Sequence, residues 1–238
     1  AASDVYKRQD DHNVYVVSKS KTSNAKIVDS NKTTIIQTYT FSKDQYDLAT
    51  TSKGFGMKVF FALDQSNCLD CPFSLGNGNG GCYTHKFNQY VGFLSMLRSI
   101  KKDQLTPFSE VKFQEICDMS HNTYVRFGTY GEPSLLPYSL VESMSLLSSS
   151  WTGYTHQYDK SWASEFSNIF MASTHNQEQS DNAKLKGYRS FIATSDGSED
   201  AVRCPASKEA NYVSNCAKCS LCSGTKGKGS KNVKILIH

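Results

Sequence analysis

The chain contains no run of about 18 apolar residues, so no part of it reads as a helix that crosses a bilayer. It also lacks an internal repeat and a charged segment followed by an apolar one, the mark of a secretion signal. Neither sign of charge dominates. Lys and Arg number 26 against 22 Asp and Glu, a net +4 that suits a nucleotide or nucleic-acid partner without requiring one. Hydrophobic residues make up only 38% of the 238, enough to fill the core of one domain of α/β-barrel size. These absences predict a soluble, cytoplasmic protein with no membrane partner.

What the chain does have is cysteine, eight in all, gathered mostly into two segments. Around them the chain reads as a single domain over 10–238. The stretch Asp4-Val5-Tyr6-Lys7-Arg8-Gln9 resembles the translated end of a sequencing-library adapter, as in metagenomic reads. Residues 1–9 are therefore set apart from fold reasoning, and the natural start is expected elsewhere.

Residues 10–45 are rich in β-branched and aromatic side chains (Val14–Val17, Ile27-Val28, Thr33–Tyr39) and predict a short antiparallel β extension. Residues 46–203 alternate between the two periods. Lys58–Leu63 is a continuous apolar run expected to be a doubly buried strand. Helical spacing marks Tyr90–Ile100 and Glu110–Met119. Strands are expected at Tyr124–Phe127, Trp151–Tyr154, Ile169–Ala172 and Tyr188–Ala193, and helices at Ser139–Leu147 and Gln177–Lys186, the latter closed by Gly187. Residues 204–238 hold a cysteine-rich segment and a last strand, Val233–Ile237. Strands alternating with helices predict an α/β fold, a β/α-barrel or partial barrel. On such folds chemistry collects at the carboxyl ends of the strands, here Asp64, Gly131-Glu132, Thr155-His156 and Ser173-Thr174-His175.

Cys204, Cys216, Cys219 and Cys222 form a C-x11-C-x2-C-x2-C pattern, whose close pairs can turn onto one zinc ion or iron–sulfur cluster, with disulfides as the alternative. Cys68, Cys71 and Cys82 form a second set with no obvious fourth ligand. Three thiolates leave an open coordination position, which catalysis needs and a structural site lacks. His85 and Cys117 are the candidates to close it, although Cys117 also reads as a buried core thiol. The glycine-rich insert before Cys82 lacks the lysine of a phosphate-binding loop and reads as a flexible ligand loop.

Glu132, leaving a glycine turn beyond a strand, can hold an amine or a ribose hydroxyl, and Arg126 on that strand can bind phosphate or carboxylate. Either reads equally well as a turn residue or an ion-pair member. His156 and His175 each follow a short strand and are candidate acid–base groups, or structural histidines. Lys226, Lys228, Lys231 and Lys234, interleaved with glycine, can meet a nucleic-acid backbone or form a solvated loop.

Cys68-x2-Cys71-Pro with Cys82-Tyr83, Phe127-Gly-Thr-Tyr-Gly131-Glu132-Pro133, Trp151-Thr-Gly-Tyr-Thr-His156, Phe170-Met-Ala-Ser-Thr, Gly187-Tyr-Arg189 and Cys204-Pro-Ala-Ser resemble a cysteine-rich family encoded by bacteriophages and prophages. That resemblance runs from about Asn24 onward. It implies a phage origin, hence the cytoplasm of an infected bacterium, and no mechanism. More distantly, the order strand, three-cysteine loop, helix, strand, Gly-Glu-Pro is similar to radical S-adenosylmethionine enzymes. That likeness implies a [4Fe–4S] cluster on Cys68, Cys71 and Cys82, S-adenosylmethionine held by Glu132, and an auxiliary cluster on the C-terminal cysteines. Those enzymes carry C-x3-C-x2-C, whereas here the intervals are x2 and x10. A competing likeness is to tRNA/DNA-guanine transglycosylases, with structural zinc and an aspartate nucleophile, for which Asp64 or Asp118 would serve. The expectation is a metal-dependent enzyme acting on a nucleotide or nucleic acid. The remaining alternative is a non-catalytic, zinc-stapled binding protein.

Overall fold

The computed structural model describes residues 12–22, 24–29, 33–78, 80–100, 110–195, 197 and 199–237, apart from the side chain at 111. The N-terminal β-branched runs pair as expected: β1 (Asn13–Thr22) and β2 (Thr33–Ser42) form an antiparallel ladder with Val16 opposite Tyr39. Ile27 and Val28 are buried in the turn between them rather than in a strand. β2 then pairs in parallel with β3 (Tyr124–Tyr130), and β3 with β4 (Ser150–Thr152), completing a mixed four-stranded sheet.

Among the described residues five helices follow β2 before the next strand: α1 (Lys43–Thr51), α2 (Met57–Ala62), α3 (Gln65–Cys68), α4 (Phe87–Ser99) and α5 (Glu110–Ser120). Ser42 starts α1 with a capping box: its hydroxyl accepts from Gln45 N at 3.0 Å, and the Gln45 side chain accepts from Ser42 N at 3.0 Å. The expected strand at Lys58–Leu63 is instead α2. An apolar run without a period leaves helix and strand equally open, and tertiary packing decides. A strand would send Phe60 and Phe61 to opposite faces. On α2 both rings enter one aromatic cluster, 5.3 Å apart, with Phe41 6.5 Å from Phe60 and Phe93 6.3 Å from Phe61.

The second sheet is wholly parallel. It contains β5 (Tyr154–Thr155), β6 (Met171–Thr174), β7 (Ser190–Thr194), β8 (Val202–Arg203) and β9 (Val233–Leu236), in the order β5-β6-β7-β9-β8. Helix α6 (Tyr138–Leu147) precedes β4, α7 (Gln177–Leu185) joins β6 to β7, and the one-turn α8 (Cys216–Cys219) lies between β8 and β9. The α/β class holds, but among the described residues the strands make two sheets and no closed barrel.

The expected strand at Trp151–Tyr154 breaks at Gly153, where the chain passes from one sheet to the other. A Cβ there would stand 2.5 Å from Phe170 Cδ1. Gly153 N donates to Cys222 O at 3.1 Å, and its carbonyl accepts from Met171 N at 3.0 Å. Its backbone therefore joins the cysteine-rich segment and β6 to the end of β4. Val125, Phe127 and Ile36 bury one face of the first sheet against α5 and α6. Toward the carboxyl ends, the aromatic cluster of Phe41, Tyr130, Phe60, Phe61 and Phe93 fills the space under α4.

Candidate functional site

The parallel neighbours β5 and β6 release His156 and His175 at their carboxyl ends, and Glu132, which follows β3 of the other sheet, meets the first of these through its carboxylate. Asp64 does not join them. It follows α2, is fully buried, and accepts from Ser74 Oγ at 2.5 Å and Gly76 N at 2.8 Å, with His85 Nε2 3.4 Å from its second oxygen. Asp64 thus folds the glycine-rich insert back beside the cysteines, and a Cβ at Gly76 would meet its Oδ1 at 2.7 Å. The insert is held by this carboxylate, and by Asn77 Nδ2, which donates to Leu69 O and Cys71 O.

Asn67 fastens the loop to the strands, a role with no sequence signature. Its Oδ1 accepts from Ser42 N at 3.1 Å, its Nδ2 donates to Thr40 O at 2.9 Å, and its carbonyl accepts from Glu132 N at 2.7 Å. Cys68 is the next residue. Gly131 had to be glycine for the same reason: its φ is +77° and a Cβ would come within 2.5 Å of Thr40 O.

Glu132 is buried and orders its surroundings. One carboxylate oxygen accepts from Ser134 N at 3.1 Å and Ser134 Oγ at 2.7 Å; the other accepts from His156 N at 3.0 Å. Burial pushes this carboxyl above the usual range, and hydrogen bonds from Ser134, Thr155 and His156 pull it part of the way back. His156, so placed, brings Nε2 to 3.9 Å from Cys71 Sγ. Burial and the neighbouring His175, whose ring centroid is 6.0 Å away, lower the His156 imidazole to about 4, so it is neutral at physiological pH. Phe73 of the cysteine loop meets the His175 ring edge-on at 4.8 Å. His85 and Cys117, the sequence candidates for a fourth ligand, are occupied elsewhere. His85 pairs with Asp64 and packs on Phe61 at 4.2 Å, and Cys117 is buried on α5 in the first core.

Every cysteine is a free thiol. Among the described residues no three His, Cys, Asp or Glu side chains are already arranged to hold a metal ion. Burial raises Cys68 well above the usual thiol range, and the charges of Asp64, Cys71, Cys82 and Glu132 raise it further. Burial likewise lifts Cys71 to about 12. No cation among the groups acting on these thiols favours the thiolate, so the Cys71–His156 pair is not an activated nucleophile of the cysteine–histidine kind. Soft sulfur is the donor type a thiophilic metal takes, and such an ion would supply the missing positive charge, although among the described residues the three thiols are not arranged about one point.

The C-terminal thiols also sense one another: Cys222 is raised by burial and then by Cys204, Cys216 and Cys219. Their scaffold is main chain. Cys204 N donates to Lys234 O at 2.8 Å, Cys216 N to Lys26 O at 2.9 Å and Cys219 N to Asn215 O at 2.8 Å. Burial raises Cys216 to about 11, against an opposing pull from Arg126 and Lys26. This donor set fits zinc or a cluster on the same chemical ground. Of the glycine-tail lysines, Lys226 pairs with Glu142 at 3.0 Å and Lys234 donates to Gly197 O and Glu199 O at 2.5 Å. Asp118 sits on α5, where its carboxylate accepts from Gln114 at 2.9 Å. Among the described residues no helix is long and apolar enough to cross a membrane. No family model, no curated protein and no solved structure matches this chain.

Proposed function

We propose that the chain is a metal-dependent enzyme acting on a nucleotide or nucleic acid, with Cys68, Cys71 and Cys82 holding the reactive metal and the C-terminal cysteines a structural one. The observation that carries this reading is the 3.9 Å approach of His156 Nε2 to Cys71 Sγ above a buried Glu132. It joins a thiol loop to the strand ends, where α/β folds keep their chemistry. The two sheets, continuous in chain through Gly153, are read as a partial barrel.

When bound, a thiolate-held metal supplies Lewis-acid chemistry or, as an iron–sulfur cluster with S-adenosylmethionine, one-electron chemistry. The chain's own residues set its surroundings. Asn67 and Asp64 fix the loop over the strands, and Glu132 fixes the backbone of His156. The neutral His156 imidazole can take up a proton at Nε2. Asp64, locked in its hydrogen bonds, gives the transglycosylase nucleophile no support.

Anaerobic purification with iron, sulfide and zinc analysis and an absorbance spectrum tests the reading. Metal that falls by one site in Cys71→Ser is expected. Brown protein with iron and sulfide supports the cluster version. Metal bound only through the C-terminal cysteines leaves a zinc-stapled binding protein and overturns the enzyme.

A further inference from the structure

Within β3, Val125 and Phe127 face α5 and α6, so Arg126 lies on the opposite face, in register with Gln37 of β2 and Thr152 of β4. On that face the amino ends are covered by Cys216 and Ala217 packing on Ile35 and Tyr124. The carboxyl ends are covered by Phe41 and Tyr130 beneath α4. Arg126 therefore occupies the stretch of sheet between the two cysteine segments. Its Nη2 donates to the Tyr83 hydroxyl at 3.0 Å, and its guanidinium carbon stands 6.0 Å from the Tyr83 ring centroid. Tyr83, the residue after Cys82, is 60% exposed, so the pair opens toward solvent.

The polar groups around this guanidinium are engaged with one another. Tyr124 Oη and Thr152 Oγ1 share a 2.6 Å hydrogen bond, and Gln37 serves Ser20 at 3.2 Å and Thr129 at 3.4 Å. Among the described residues no carboxylate lies within ion-pairing distance of Arg126. A fork of N–H donors with a full positive charge is thus matched to one neutral phenol. Such a half-buried cation is stabilised most by an oxyanion that fills the unused prongs, and the planar fork favours phosphate or carboxylate geometry.

We propose that Arg126 and the Tyr83 hydroxyl form an oxyanion subsite, on the sheet face between the two cysteine segments, that takes the phosphate of a nucleotide. The nucleotide identity rests on the proposed function; capture of the anion needs no turnover.

Calorimetric titration of the purified full chain with inorganic phosphate, AMP and acetate tests it, with metal content measured on the same samples. Phosphate and AMP are expected to bind, and Arg126→Gln to weaken both by roughly tenfold or more, the loss of a charge-assisted hydrogen bond. Tyr83→Phe is expected to weaken them a few-fold, with metal content unchanged. Wild-type protein that binds neither phosphate nor AMP overturns the proposal, as does acetate binding as tightly as phosphate. Undiminished phosphate binding in Arg126→Gln, with metal shed from the C-terminal cysteines, makes Arg126 a counter-charge for those thiolates instead. If Arg126→Gln fails to fold, Tyr83→Phe decides: unchanged affinity there overturns the subsite. Phosphate bound by protein that carries no metal sinks the metal reading and leaves this one standing; metal without phosphate binding does the reverse.

Discussion

Around Cys216 and Cys222 the neighbours are Ile35, Tyr124, Met171, Tyr154 and Val233, main-chain carbonyls, and the cations Arg126 and Lys26; Cys68 also packs on an aromatic core, but near it and Cys71 stand a buried Glu132, a buried Asp64 and His156. The ligand atoms are alike, so the surroundings separate the two roles. Thiols anchored in apolar packing and backbone hydrogen bonds suit a staple that holds the last strands against the first sheet. Thiols beside groups able to carry protons suit chemistry, because a reacting molecule needs an acid or base within reach.

The largest expected effect contrasts the two segments directly. If the C-terminal cysteines hold the proposed structural metal, Cys216→Ser with Cys219→Ser is expected to lower the thermal midpoint by more than about ten degrees, the scale of several kcal/mol in a domain this size. Cys68→Ser with Cys71→Ser is expected to lose its metal yet stay within about five degrees of wild type. Equal losses in the two calorimetric scans would break the comparison.

Gly153→Ala comes next. Its Cβ would collide with Phe170 at the seam where Cys222 O meets the strand, and the cost is expected at about 1–3 kcal/mol by urea unfolding. An effect near zero would show that the C-terminal segment is not tied in through this point.

Glu132 offers a smaller effect, read from pH. Its folded-state carboxyl is raised by burial, so its contribution is whole below the ordinary glutamate range and is lost as pH rises through the raised value. Wild-type stability is expected to decline over that window, and Glu132→Gln to flatten the slope. An unchanged slope in the variant would remove Glu132 from the account. Smallest of all, Cys117→Ala is expected to leave metal content untouched and to cost about 1 kcal/mol, since this thiol fills core space on α5 and meets Ser143.

Helices with a clear period were legible within a few residues. Tyr90–Ile100 lies almost wholly within Phe87–Ser99, and Glu110–Met119 within Glu110–Ser120. Gly187, at φ +82°, does follow the end of α7. The run Lys58–Leu63 was not legible, because its two phenylalanines take their conformation from Phe41 and Phe93, distant in the chain. Glu132, His156 and His175 do follow the carboxyl ends of strands, as expected, whereas Asp64 follows α2 because the run before it is a helix. His85 stood close in sequence to the first cysteines and still lies outside the thiol group, since Asp64 and Phe61 hold it. Asn67, the clamp between Cys68 and two strands, carried no signal beyond being an asparagine.

By itself the sequence determined the inventory: which thiols stand two residues apart, which segments repeat every turn, which turns require glycine. Those properties are local, settled by the geometry of a few consecutive residues. Only the tertiary structure decided which groups meet. His156 reaches Cys71 across 85 residues of chain, and Tyr83 reaches Arg126 across 43. Such pairings are chosen by the burial of apolar faces throughout the molecule, a sum over contacts that no short segment contains.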